Sequence, residues 1–301
     1  IYMEDEDGEW KWWMIQHLDE RPAFRQYQIL ECNYTFRWIA EGKLYAKFLE
    51  EHKGEYDGII LCLPNFGDEN GASVAFKDVD VPILVQACPD VMDKMDFANR
   101  SDTMCGKLAM CNVLRQMKIK YTLTKKFCVD PLDESFKEDL RLFAGTCRVV
   151  AGMRKFNVGA IGARTTAFKT VRCDEIAFQS KRINIETIDL TVVFDLMDAA
   201  DFLKIEAKKK ELLAVADFSA WPDIKLENLA RLGVAIDQLI EDYDLQALAF
   251  RCWNELQLRY GVAPCVLMGI LNERGIAAAC ELDITNAVMM RAMGLAADWP
   301  V

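Results

Sequence analysis

Short apolar runs that stop at proline, glycine or acidic residues alternate along this chain with longer amphipathic stretches. Residues 59–63 are apolar and end at Pro64-Asn65-Phe66-Gly67-Asp68; residues 82–87 repeat the pattern before Cys88-Pro89-Asp90. Continuous apolar runs this short, closed by breakers, predict buried strands of a parallel sheet. Residues 40–52 predict a helix. Residues 102–117 predict another, with Leu108, Cys111, Val113, Leu114 and Met117 as its buried stripe. Residues 120–124 read as a strand and residues 133–144 as a helix.

A second unit of the same kind then opens. Residues 157–161 predict a strand, Gly162-Ala163-Arg164 a turn, residues 165–180 a helix and residues 183–187 a strand. Residues 198–214 form a charged helix whose run Lys208-Lys209-Lys210 reads as a solvated face. Residues 226–243 form a long amphipathic helix. Two further strands, residues 245–250 and 276–280, precede a helix over residues 284–295. Residues 265–271 are apolar and fit either state. The alternation predicts α/β architecture: two Rossmann-like or flavodoxin-like domains with parallel sheets, residues 1–145 and 146–301.

Composition narrows the function. Lys and Arg number 36 against 47 Asp and Glu, a net charge of −11, which disfavours nucleic acid or an anionic membrane as partner. The longest clean apolar stretch, residues 262–271, is too short to span a bilayer. Eleven cysteines without a CxxC pair, several inside apolar runs, read as buried reduced thiols of a cytoplasmic protein. The chain starts at Ile1 in an acidic segment and stops at Trp299-Pro300-Val301, so it reads as a piece of a longer one.

Candidate chemistry gathers where strands end in acids. The run 245–250 leads to Glu255, and the run 276–280 to Glu281 and Asp283. Ligands of open α/β sheets bind at the carboxyl ends of strands, so acids from separate strands can meet there. Converging carboxylates call for a metal or a shared proton, and oxygen donors favour a hard ion such as Mg²⁺ or Mn²⁺. The plainer alternative is that these acids face solvent or cap helices, as Asp283 can for residues 284–295. The turn Gly159-Ala160-Ile161-Gly162, with Glu186 downstream, suggests a dinucleotide site but lacks the third glycine. Ser101 or Asp102 is a candidate helix cap. Cys105 near Lys107 suggests a nucleophile, but the two histidines, His17 and His52, sit in no strand-end position.

Gly159-Ala160-Ile161-Gly162-Ala163-Arg164-Thr165-Thr166, Arg251-Cys252-Trp253-Asn254-Glu255-Leu256-Gln257 and Ala279-Cys280-Glu281-Leu282-Asp283 resemble the L-fucose/L-arabinose isomerase family. The resemblance extends over most of the chain after about residue 40. It implies two α/β domains followed, in the family, by a β-rich carboxy-terminal domain absent here. It implies aldose–ketose isomerisation through a metal-bound enediol, with Mn²⁺ or another divalent cation. By this resemblance Glu255 is the first metal and acid/base residue, and Glu281 or Asp283 the second, 26 or 28 residues on. Arg164 and Thr165, with Trp253, would border the sugar. The family's later histidine ligand has no counterpart in His17 or His52. The loops 65–69 and 101–107 would reach a neighbouring subunit, implying a homo-oligomer, a hexamer. A non-catalytic sugar-binding protein using the cleft between the two domains, and a nicotinamide-dependent oxidoreductase, are the rival readings.

Overall fold

The computed structural model describes residues 39–299; the tryptophan-rich opening, His17 and Cys32 lie outside them. The chain divides into two units between Val150 and Ala151.

The first unit holds a parallel sheet in the order β1 (Ile59–Leu63), β2 (Ile83–Ala87), β3 (Thr122–Leu123). β2 is central and buried along its whole length, as an uninterrupted apolar run requires. On one face Leu61, Leu63, Ile83 and Val85 pack with Leu49 of α1 (Ile39–Glu51), Ala72 of α2 (Glu69–Ala75), and Met110 and Leu114 of α3 (Thr103–Gln116). On the other, Leu84 meets Phe136, Leu140 and Phe143 of α4 (Glu134–Gly152). The expected stripe on α3 is rotated: Leu108 is exposed, and Gly106, Lys107 and Met110 face inward with Cys111 and Leu114. Lys107 hid this face from the apolar pattern, because its ammonium is buried on hydrogen bonds to Thr124 Oγ1 and the Phe127 carbonyl.

The second unit is a four-stranded parallel sheet, ordered β5 (Ile183–Ile188), β4 (Phe156–Ile161), β6 (Ala247–Phe250), β7 (Ala277–Cys280). One face packs on α6 (Leu190–Asp198), α7 (Phe202–Val215), α8 (Asp223–Asp242) and α10 (Cys265–Glu273). The other carries Val158, Ala160, Ala247, Ala249, Ala277 and Ala279, against Ile284, Ala287 and Val288 of α11 (Ile284–Ala297). Alanines there let the helix lie close to the sheet.

Two expectations are corrected. Residues 165–180 are not one helix: a 3₁₀ turn (Lys169–Val171) precedes the short α5 (Glu175–Gln179), which Asp174 caps through the Ala177 N–H. Thr165, Thr166, Thr170 and Val171 are β-branched and hold helix poorly. Nor is the lysine run wholly solvated. Lys208 is buried between Glu211 and Asp237, at 2.5 and 2.6 Å, and Lys209 pairs with Glu206 and Glu227; only Lys210 is exposed. Residues 265–271 resolve as helix α10.

Candidate functional site

In the second unit the chain adds β5 on one side of β4 and then returns to add β6 on the other. Such a reversal opens a crevice at the carboxyl ends of the strands, where α/β proteins place ligands. The loops that follow β4, β6 and β7 carry Thr165, Cys252 and Glu281, and Glu255 opens the helix after the β6 loop.

Glu281 is the best-anchored acid. It is buried at 8% exposure. Its Oε2 accepts from the Thr165 hydroxyl at 3.2 Å, and its Oε1 accepts from the Cys252 thiol at 2.8 Å and the Cys252 N–H at 3.3 Å. Residues from all three loops therefore meet on one carboxylate. The backbone helps: Glu281 and Leu282 both take left-handed φ, 49° and 63°. Two such residues in succession are costly without glycine and persist where the surroundings hold them. Here Leu282 is buried in the core beside α11.

Glu255 opens α9 (Glu255–Tyr260) and is half exposed. Its Oε1 takes an ion pair from Arg251 Nη2 at 2.9 Å, and Arg251 Nε also holds the Trp253 carbonyl at 2.7 Å. Asp283 accepts from the Asn286 N–H at 3.0 Å and so caps α11. Trp253 lies 5.2 Å, ring to ring, from Phe168 of the β4 loop. Arg164 is bound into its own loop through the Phe168 carbonyl at 3.0 Å. Thus Thr165 and Glu281 are in contact, Trp253 bridges two loops, and Asp283 is used locally.

Gly162 enters the site by necessity. Its φ is +91°, and an added Cβ would lie 3.0 Å from Arg251 Cβ and 3.2 Å from Leu190 Cγ. Gly159 is different: it lies inside β4, where a Cβ would strike Leu245 at 2.7 Å. It packs the sheet and is no part of a phosphate loop. His52 is distant in role too, paired with Glu55 at 2.8 Å near the end of α1.

The sequence pattern marks Cys252 and Cys280 only as structural thiols. One ligating atom from each of Cys252, Cys280 and Glu281 lies within 4.8 Å of the others. Burial pushes both thiols up, and the neighbouring Glu281 carboxylate pushes them further. Both therefore stay protonated at neutral pH, as the Cys252 donor bond requires. The only signal in the sequence was adjacency, Arg251-Cys252 and Cys280-Glu281 at two strand ends.

Acids at the chain reversal of a parallel α/β unit stand where proteins of this architecture place small-molecule ligands. Residues 13–154 match the family described as fucose/sulfoquinovose isomerase, N-terminal domain. The sulfoquinovose isomerase of Alkalicoccus urumqiensis is 23% identical over 253 residues, 81% of this chain and 54% of that protein. That of Priestia aryabhattai is 22% identical over 251 residues, with the same shares, and that of Clostridium sp. (strain MSTE9) 24% over 165 residues. This match and these relatives support a likeness to the fucose/arabinose isomerase-like family, and the chain spans about half the length of the first two relatives. Among the described residues no helix is long and apolar enough to cross a membrane.

Proposed function

We propose that this chain supplies the catalytic carboxylates of an aldose–ketose isomerase, with a sugar as substrate. The observation that carries this reading is the convergence of three strand-end loops on buried Glu281. The relatives named above support a sugar of the sulfoquinovose type, the family description adds fucose, and L-arabinose rests on the sequence resemblance alone.

The reaction moves one proton between adjacent carbons. A carboxylate removes the proton from C2 of the open-chain aldose, and the O2 hydroxyl proton passes to O1. The enediol so formed takes the proton back at C1 and becomes the ketose. Glu281 and Glu255, on neighbouring strand ends, are the pair for this work, and Asp283, spent on its helix cap, is the weaker candidate. Thr165 orients Glu281, and Arg251 positions Glu255 through their ion pair. Trp253 and Arg164 border the sugar.

Glu255 and Glu281 are hard oxygen donors, a donor type that suits Mn²⁺, and each now satisfies its charge with protein donors where a cation would serve. When bound, the ion would polarise the sugar's carbonyl and hydroxyl oxygens. A homo-oligomer, a hexamer, in the cytoplasm belongs to the same reading. It draws support from the β-strand-end loops of the first unit, which expose Phe66, Met92 and Phe97, and from the first turn of α3, which exposes Met104.

The test is ketose formation from candidate aldoses, in the protein and in two variants. Glu281→Gln and Glu255→Gln should each cost at least about 100-fold in kcat while the fold survives. Full turnover in either variant overturns that residue's role; saturable sugar binding without ketose formation favours the binding-protein reading.

A further inference from the structure

The two thiols beside Glu281 have no part in proton transfer, yet they are placed together with care. Cys280 ends β7 and pairs in register with Phe250 at the end of β6; Cys252 follows two residues later. Cys252 Sγ is 2.8 Å and Cys280 Sγ 3.8 Å from the same oxygen, Glu281 Oε1. Cys252 and Glu281 are buried while Cys280 is exposed, so the cluster has a closed floor and an open side.

We propose that Cys252, Cys280 and Glu281 form a site for a thiophilic divalent cation of the Zn²⁺ type, with one coordination position left to water. Tetrahedral Zn²⁺ holds thiolates at about 2.3 Å, hence about 3.8 Å apart, and carboxylate oxygen at about 2.1 Å. The three donors already lie within 4.8 Å of one another, close to the spacing such a shell requires. Binding sends two thiol protons to solvent, and the two thiolates and one carboxylate exceed the ion's charge by one. Two sulfurs and one oxygen select against Mn²⁺, which prefers oxygen throughout. Because Glu281 is shared, a captured Zn²⁺ blocks isomerisation; that consequence rests on the proposed function, whereas the binding does not.

Co²⁺ provides the probe, since thiolate ligation gives it an intense near-ultraviolet charge-transfer band. The purified chain, kept reduced with a phosphine, is titrated with Co²⁺ and then with Zn²⁺. The expected result is a band that saturates at one ion per chain and that Zn²⁺ erases. It should be lost in Cys252→Ser and in Cys280→Ser, and kept in Cys105→Ser, which removes an exposed thiol of the first unit. Circular dichroism checks folding, and Cys280→Ser, at an exposed position, keeps the test valid if the buried variant misfolds. Absence of the band, its survival in Cys280→Ser, or its loss in Cys105→Ser overturns the proposal. No turnover is measured, so failure here is separate from failure of the isomerase reading.

Discussion

Ten cysteines lie among the described residues, and their environments differ enough to be sorted chemically. Cys147 packs inside the first unit, where burial pushes its thiol up to about 12. Cys105 is exposed on α3. The thiolate is the nucleophile, so access and thiolate fraction act together. A maleimide added to the native reduced chain at pH 8 should label Cys105 quickly and leave Cys147 intact. Peptide mapping reads the outcome, and comparable labelling of both would show the α4 packing to be wrong. The apolar pattern around the cysteines predicts buried thiols. Cys105, Cys265 and Cys280 are exposed, because a cysteine at a helix start or strand end leaves the core even within an apolar stretch. At Glu281 the sequence showed an acid at a strand end, but not that it would be buried under Thr165 and Cys252, 116 and 29 residues away. Contacts of that range depend on the sheet order, which no local pattern encodes.

Elements were more legible than their ends. The strands over residues 59–63, 83–87 and 277–280 are nearly where apolar runs and breakers put them. The cap of α3 shows the limit. Asp102 stands at the N-cap with left-handed φ of 50° and pairs with Arg100, giving the helix no side-chain bond. Asp90, from the loop after β2, accepts instead from the Ser101 hydroxyl and from the N–H groups of Thr103 and Met104. Its partial burial opposes ionisation, but these donors outweigh that and hold the carboxyl below its usual 3.8. A depressed folded pKa stabilises above the unfolded value and is lost as pH falls below it. Asp90→Ala should therefore cost about 1 kcal/mol at pH 7, and the gap should narrow below pH 3.8. Urea midpoints across pH 7 to 3 measure it; a gap that widens in acid would contradict the assignment. A second element test is Gly162→Ala. With φ at +91° and Arg251 Cβ 3.0 Å away, the alanine strains the β4 turn and should cost about 1–3 kcal/mol. The melting temperature should fall, and a rise would mean the turn is looser than drawn.

At the scale of the molecule, the acidic balance and the exposed apolar side chains pull in opposite directions. A net charge of −11 keeps copies apart at long range, but screening confines that repulsion to about 8 Å at physiological salt. Short-range burial then decides association. In the first unit Phe97 is 90% exposed and Met92 82%, on a loop joined to the end of β1 by the Phe66 N–H to Ser101 carbonyl bond at 2.8 Å. Burying a single phenylalanine recovers about 1.5–3 kcal/mol, and each symmetric copy of an interface repeats the gain. If these loops join subunits, Phe97→Asp removes that gain and adds a charge to bury, so the assembly should fall apart while each copy stays folded. Sedimentation at moderate salt would then show the wild-type chain as a species several times 34.3 kDa and the variant as a smaller one. Lowering the salt should weaken the wild-type assembly, because the repulsion between acidic copies returns. A wild-type chain that sediments at 34.3 kDa under all these conditions would remove the homo-oligomer from the proposal and leave the strand-end site of the second unit standing on its own.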